Sequence, residues 1–121
     1  MFPRPRAWGH PNGSPAGNHP SAGFSFAVNP RITRKAIHSG SMTIARLELQ
    51  KDAVVAEHSH HNEQITMVER GALKFAIDGG HKVVRTGETL VIPPNVAHGV
   101  TALEDTVVFD VFAPSRDDWP R

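Results

Sequence analysis

His58-Ser59-His60-His61-Asn62-Glu63-Gln64-Ile65-Thr66-Met67-Val68-Glu69-Arg70-Gly71 is the segment from which the rest of the chain is best read. Successive side chains of an extended backbone point to opposite sides, so His58 and His60 project to one face and can grip one ion. Gln64 follows four residues after His60, and His98 stands beyond a Pro93-Pro94 corner as a fourth donor. Three neutral imidazole nitrogens and one amide oxygen suit a borderline divalent metal such as Zn, Ni, Fe or Mn. By the same alternation His61 points to the other face, toward solvent or a supporting position.

Outward from this segment the chain is a series of short alternating runs. Phe24, Phe26 and Val28 alternate with Ser25 and Ala27, predicting a short edge strand over 24–28, and a second strand follows at 32–37. Strands are predicted at 42–49 and at 54–60, the latter carrying the chain into the histidines after a turn at Lys51-Asp52-Ala53. Leu73, Phe75 and Ile77 share one face of a strand over 72–77, and Asp78-Gly79 is a strong hairpin signal before a return strand ending at Arg85. Further strands are predicted at 89–92, at 96–101 with His98, and at 106–112. No segment has a helical period. Short strands with turn signals every eight to twelve residues argue an all-β antiparallel sandwich or barrel. His38, beside Ser39-Gly40-Ser41, and His81, beside the hairpin, read as surface residues.

Residues 1–23 hold Pro3, Pro5, Pro11, Pro15 and Pro20 among Gly, Asn, Ser and His, a composition that buries too little apolar surface to offset ordering entropy. They are expected to form a disordered arm, with His10 and His19 as solvated loop residues, ahead of one domain over 24–121. With 121 residues there is room for one core. A net charge of +1, from 13 basic and 12 acidic side chains, gives no nucleic-acid footprint. The absence of cysteine removes disulfides, thiolate metal sites and cysteine nucleophiles. No apolar run approaches the roughly 18 residues of a membrane span and no signal peptide is evident, so a cytoplasmic protein without membrane partners is expected.

Together these residues resemble the two motifs of the cupin superfamily, a jelly-roll barrel (a double-stranded β-helix) that commonly holds a metal. His58, His60, Gln64 and Gly71 match the first motif, and Gly87, Pro93, Asn95 and His98 the second. Asp52 and Asn95 stand where that pattern has Gly, and Gln64 where it has Glu. Asp and Asn tolerate the left-handed conformation, so the turns are expected to survive.

Glu57-His58-Ser59-His60 with Glu63-Gln64-Ile65, then Ile92-Pro93-Pro94-Asn95-Val96-Ala97-His98-Gly99, then Asp110-Val111-Phe112-Ala113-Pro114-Ser115-Arg116, is similar to the pectin degradation (KdgF-type) cupins. The resemblance covers about 32–119. It implies His58, His60, Gln64 and His98 as metal ligands and Asp110, Phe112 and Arg116 as catalytic or substrate-contacting residues. Arg34-Lys35 and Met42 also occupy positions where such proteins carry similar residues. His61-Asn62 and Met67 depart from the usual pattern and are expected to alter the pocket.

Asp110 and Phe112 are in phase on one strand, and a carboxylate facing the barrel interior near a cation is a candidate general acid/base. Arg116 has the planar fork to clamp a carboxylate. The resemblance implies an enzyme ketonising unsaturated monouronates from pectin or alginate breakdown, with a sugar acid as substrate and a homodimer as assembly. The alternatives are a metal-dependent oxygenase or isomerase on another small polar molecule, and a non-catalytic small-ligand-binding barrel.

Overall fold

The computed structural model describes residues 24–120, and the arm expected over 1–23 lies outside them. Every regular element among the described residues is a strand, and no helix is long and apolar enough to cross a membrane. The ten strands are β1 (Phe24–Asn29), β2 (Ile32–His38), β3 (Thr43–Leu49), β4 (Val54–His58), β5 (Glu63–Arg70), β6 (Ala72–Ile77), β7 (Gly80–Arg85), β8 (Thr89–Ile92), β9 (His98–Ala102) and β10 (Thr106–Ala113). They form a six-stranded sheet in the order β1-β2-β3-β10-β5-β8 and a four-stranded sheet in the order β4-β9-β6-β7. All pairings are antiparallel, the jelly-roll arrangement that the motifs implied.

Period-two alternation delivers one face of each strand to the interior. On β5 Gln64, Thr66 and Val68 are buried while Ile65 and Met67 are exposed. Met67, expected to shape the pocket, therefore lies on the outer face. The main core gathers Ile32, Leu49, Val68, Leu73, Phe75, Val84, Ile92 and Val108 from both sheets. Each such side chain contributes about 1.5–3 kcal/mol relative to an exposed one. A smaller cluster of Ala36, Ala45 and Phe112 lies beside it.

The turns are as the side chains demand. Asp52 (φ 73°) and Asn95 (φ 65°) adopt the left-handed conformation at the two positions where Gly is usual. Gly71, between β5 and β6, cannot be replaced so cheaply. It has φ 111°, and a Cβ there would fall 2.6 Å from the Asp105 carbonyl oxygen and 2.8 Å from Thr106 Cα. Left-handed strain and overpacking combine, and Gly71→Ala is expected to cost about 3 kcal/mol. Urea unfolding of the two proteins measures this; midpoints that coincide would mean that the turn relaxes at no cost.

Candidate metal centre

The histidines do not share one regular strand, as the alternation argument required. β4 ends at His58, and its ladder with β9 slips between Val55 and His58. Such a bulge re-aims side chains, and here it seats His58 directly opposite His98. Gly99 permits the close approach: a Cβ would lie 3.1 Å from the Val55 carbonyl oxygen and 3.2 Å from Glu57 N. His60 lies in the loop after β4, and its carbonyl accepts a 2.8 Å hydrogen bond from Asn95 N in the Pro93-Pro94-Asn95 corner. The two histidine-bearing segments are thus fastened by backbone. Ring centroids are 4.4 Å apart for His58 and His98, 5.1 Å for His60 and His98, and 5.6 Å for His58 and His60. One nitrogen from each can be chosen so that all lie within 4.8 Å of one another, and the three can hold a metal ion.

The protonation pattern fits that role. Each Nδ1 meets a backbone carbonyl: His58 to Ala56 at 2.9 Å, His60 to Asn62 at 3.0 Å, and His98 to Val96 at 2.8 Å. Carbonyls only accept, so each Nδ1 carries a hydrogen, which leaves Nε2 as the ring atom that can bind a metal, the arrangement of a metal-ligating histidine. Burial lowers the pKa of His60, helped by the Arg116 charge, and burial likewise lowers that of His98, helped by the neighbouring histidines.

Gln64 supplies a further clue. Thr66 Oγ1 donates to Asp110 Oδ1 at 2.6 Å and accepts from Gln64 Nε2 at 2.8 Å, which turns Gln64 Oε1 toward His60 Nε2 at 3.1 Å. With His60 neutral, two lone pairs face each other, a contact that a cation between them resolves. Neutral nitrogen and amide oxygen donors with no thiolate suit Zn, Ni, Fe or Mn and do not choose among them.

One cavity of about 390 Å³ unites the rest. His58, Gln64, His98, Asp110, Phe112 and Arg116 line it, together with an apolar wall that includes Leu73, Phe75 and Val100. Burial raises the Asp110 pKa to about 6, against the lowering effect of hydrogen bonds from Thr66 and Gln64 and the Arg116 charge. Phe112 is buried and meets His60 edge-on at 5.6 Å, so it packs the His60 ring as well as lining the cavity. Arg116 is buried, but its Nε and Nη2 are engaged by Asp118 at 2.9 and 2.8 Å. The fork expected to clamp a substrate thus already carries a carboxylate on one edge. His61 is exposed, in the loop between β4 and β5 rather than on a strand.

Several residues here escaped the sequence reading. Thr66 was detectable, lying two positions after Gln64 on the same face. Asn62, which departs from the family pattern, is 1% exposed, and its Nδ2 donates to the carbonyls of Pro114 at 2.6 Å and Ser115 at 3.2 Å. It thereby fixes the segment that carries Arg116. His38 is half-buried rather than a surface residue: its ring bridges Thr43 Oγ1 at 2.7 Å and the Pro120 carbonyl at 3.1 Å, closing the C-terminal segment over β2.

The Arg116 guanidinium holds the Asp118 carboxyl at about 2, below the ordinary 3.8. The folded value lies below the unfolded one, so the pair stabilises above about pH 4 and the contribution is lost as pH falls toward about 2. With the Asp118 side chain 64% exposed, solvent screening limits it to at most about 1 kcal/mol. Thermal melts of the wild type and Asp118→Asn should converge over that window; a constant gap would deny the pairing.

The chain matches a family model described as Cupin domain over residues 45–112. It is 32% identical over 91 residues to pectin degradation protein KdgF of Dickeya dadantii (strain 3937), covering 73% of this chain and 83% of that one. KdgF from Halomonas sp. superposes with a TM-score of 0.74 at 33% identity, covering 78% of this chain and 91% of the other. An RmlC-like cupin from Shewanella frigidimarina gives the same TM-score, 0.74, at 24% identity over 79% of this chain and 87% of its own, a likeness of fold.

Proposed function

This chain belongs to the cupin domain family and, within it, resembles the pectin degradation protein KdgF throughout most of its length; from that premise we propose that it ketonises unsaturated monouronates released by pectin or alginate breakdown. The observation that carries this reading is the convergence of His58, His60, His98 and Gln64 beside a cavity that is also lined by a half-buried carboxyl, Asp110. A divalent ion held by those four residues would supply Lewis acidity toward the oxygens of the substrate.

The reaction is an isomerisation with no co-reactant. The hydroxyl at C1 loses its proton, the C1–O5 bond opens to an aldehyde, and O5 is released as the enolate oxygen of the C4=C5 double bond. Protonation at C4 then gives the 5-ketone. Asp110 is the group that moves the proton: it lines the cavity, and Thr66 Oγ1–H holds its Oδ1 in place. Arg116, lying over the Phe112 ring at 4.8 Å and steered by Asp118, offers positive charge to the carboxylate of the sugar. Phe112 and the apolar wall exclude water from the opened chain.

The test is incubation of metal-loaded protein with an unsaturated monouronate while the enol-ether absorbance is followed. Catalysed loss is expected; decay at the same rate with and without protein would discard the reading. The apolar wall favours one rival, an oxygenase acting on a less polar acid, which would show as oxygen uptake by the Fe(II)-loaded protein.

A further inference from the structure

The inward-facing positions of β2 alternate as Ile32, Arg34, Ala36 and His38. Ala36 sits opposite Ala45 of β3, and two methyl side chains in register leave a gap in the barrel wall. Trp119, from the C-terminal segment, packs into that gap against Ala36, Ala45 and Phe112. Its indole then carries two cations. Arg34 Cζ lies 3.6 Å from the ring centroid and Arg116 Cζ 4.3 Å.

Both guanidiniums and the indole line the cavity of the candidate metal centre. Two like charges brought onto one ring repel, and Asp118 bonds to Arg116 through both its oxygens. That repulsion adds to burial, the larger cause, in lowering the Arg34 pKa to about 10, with Asp118 opposing the shift. An anion entering the cavity would relieve it.

We propose that Arg34 is a carboxylate-binding residue of this site, acting with Arg116 across the Trp119 ring to select an acidic sugar over a neutral one. This rests on the reading of the cavity as a sugar-acid site and adds a residue from β2 that neither histidine motif contains. Arg34 and Arg116 come from opposite ends of the chain, and the indole holds both toward one cavity by cation–π contact. Asp118 occupies the Nε edge of Arg116, so a carboxylate bridging Arg34 and Arg116 would meet charge-assisted donors from two directions.

The experiment uses the metal-loaded chain with Trp8→Phe, which leaves Trp119 as the single tryptophan. Its fluorescence is titrated with galacturonate and with galactose. Arg34→Gln should weaken galacturonate binding at least ten-fold, Arg34→Lys should recover part of it, and neither should move the galactose response or the metal content. Galacturonate binding within two-fold of the parent in Arg34→Gln would overturn the proposal. So would equal weakening toward both sugars, the mark of a structural role, or failure of the parent to bind galacturonate at all. If galacturonate is discriminated through Arg34 but no unsaturated monouronate is converted, only the enzymatic reading falls.

Discussion

His98→Ala will leave a folded barrel that no longer retains a divalent metal. His98 is 3% exposed, its Nδ1–H is fixed on the Val96 carbonyl, and its ring stands 4.4 Å from His58 across the β4–β9 ladder. Removing it takes one of three imidazoles and opens the bottom of the cavity. Loss of a mere supporting partner of a ligand costs 10–100-fold in metal affinity, so loss of the ligand itself should cost more than about 100-fold. The measurement is metal per chain after dialysis against a chelator of moderate strength, with circular dichroism melts to show that the sheet is intact. His61→Ala is the control, because His61 is exposed and outside the cluster. One equivalent of metal retained by His98→Ala would be incompatible with the site described.

Asp110→Asn separates chemistry from binding. Asparagine keeps the shape and can still accept the Thr66 hydroxyl, so the Thr66–Gln64 chain that aims Gln64 at His60 should persist. It cannot exchange a proton. Turnover of an unsaturated monouronate should fall by about 10²–10⁴-fold, the usual worth of a positioned general acid or base. Metal content should be unchanged. Stability should not fall, because the substitution removes a carboxyl whose ionised form burial disfavours, as its raised pKa of about 6 records. A variant with full turnover would assign proton transfer elsewhere, and one that melts lower would make Asp110 a structural anchor. The pairing of lost activity with undiminished stability is the signature of a group retained for chemistry.

The limits of the sequence reading follow from particular residues. Gln64 and Thr66 sit two apart, so their common face was available from alternation alone. Arg116 was visible as a cation near the site, but its engagement with Asp118 was not, because nothing in Ser115-Arg116-Asp117-Asp118 says which carboxylate turns back. Arg34 and Trp119 meet across more than eighty positions of chain, and the alanines that make room for the indole look like ordinary strand residues. Met67 was expected at the pocket by resemblance, although its place one step out of phase with Gln64 and Thr66 puts it on the outer surface.

What the sequence by itself determined was the all-β architecture, the turn positions and the identity of the candidate ligands. Alternation, hairpin signals and the left-handed tolerance of Asp52 and Asn95 all act between neighbours along the chain. What only the tertiary structure decided was aim. The β4 bulge faces His58 to His98, Asn62 fastens the carbonyls before Arg116, and the His38–Pro120 bond closes the C-terminal segment over the barrel. These contacts join residues far apart in sequence, and strand register and packing, which no local pattern encodes, choose which of them meet.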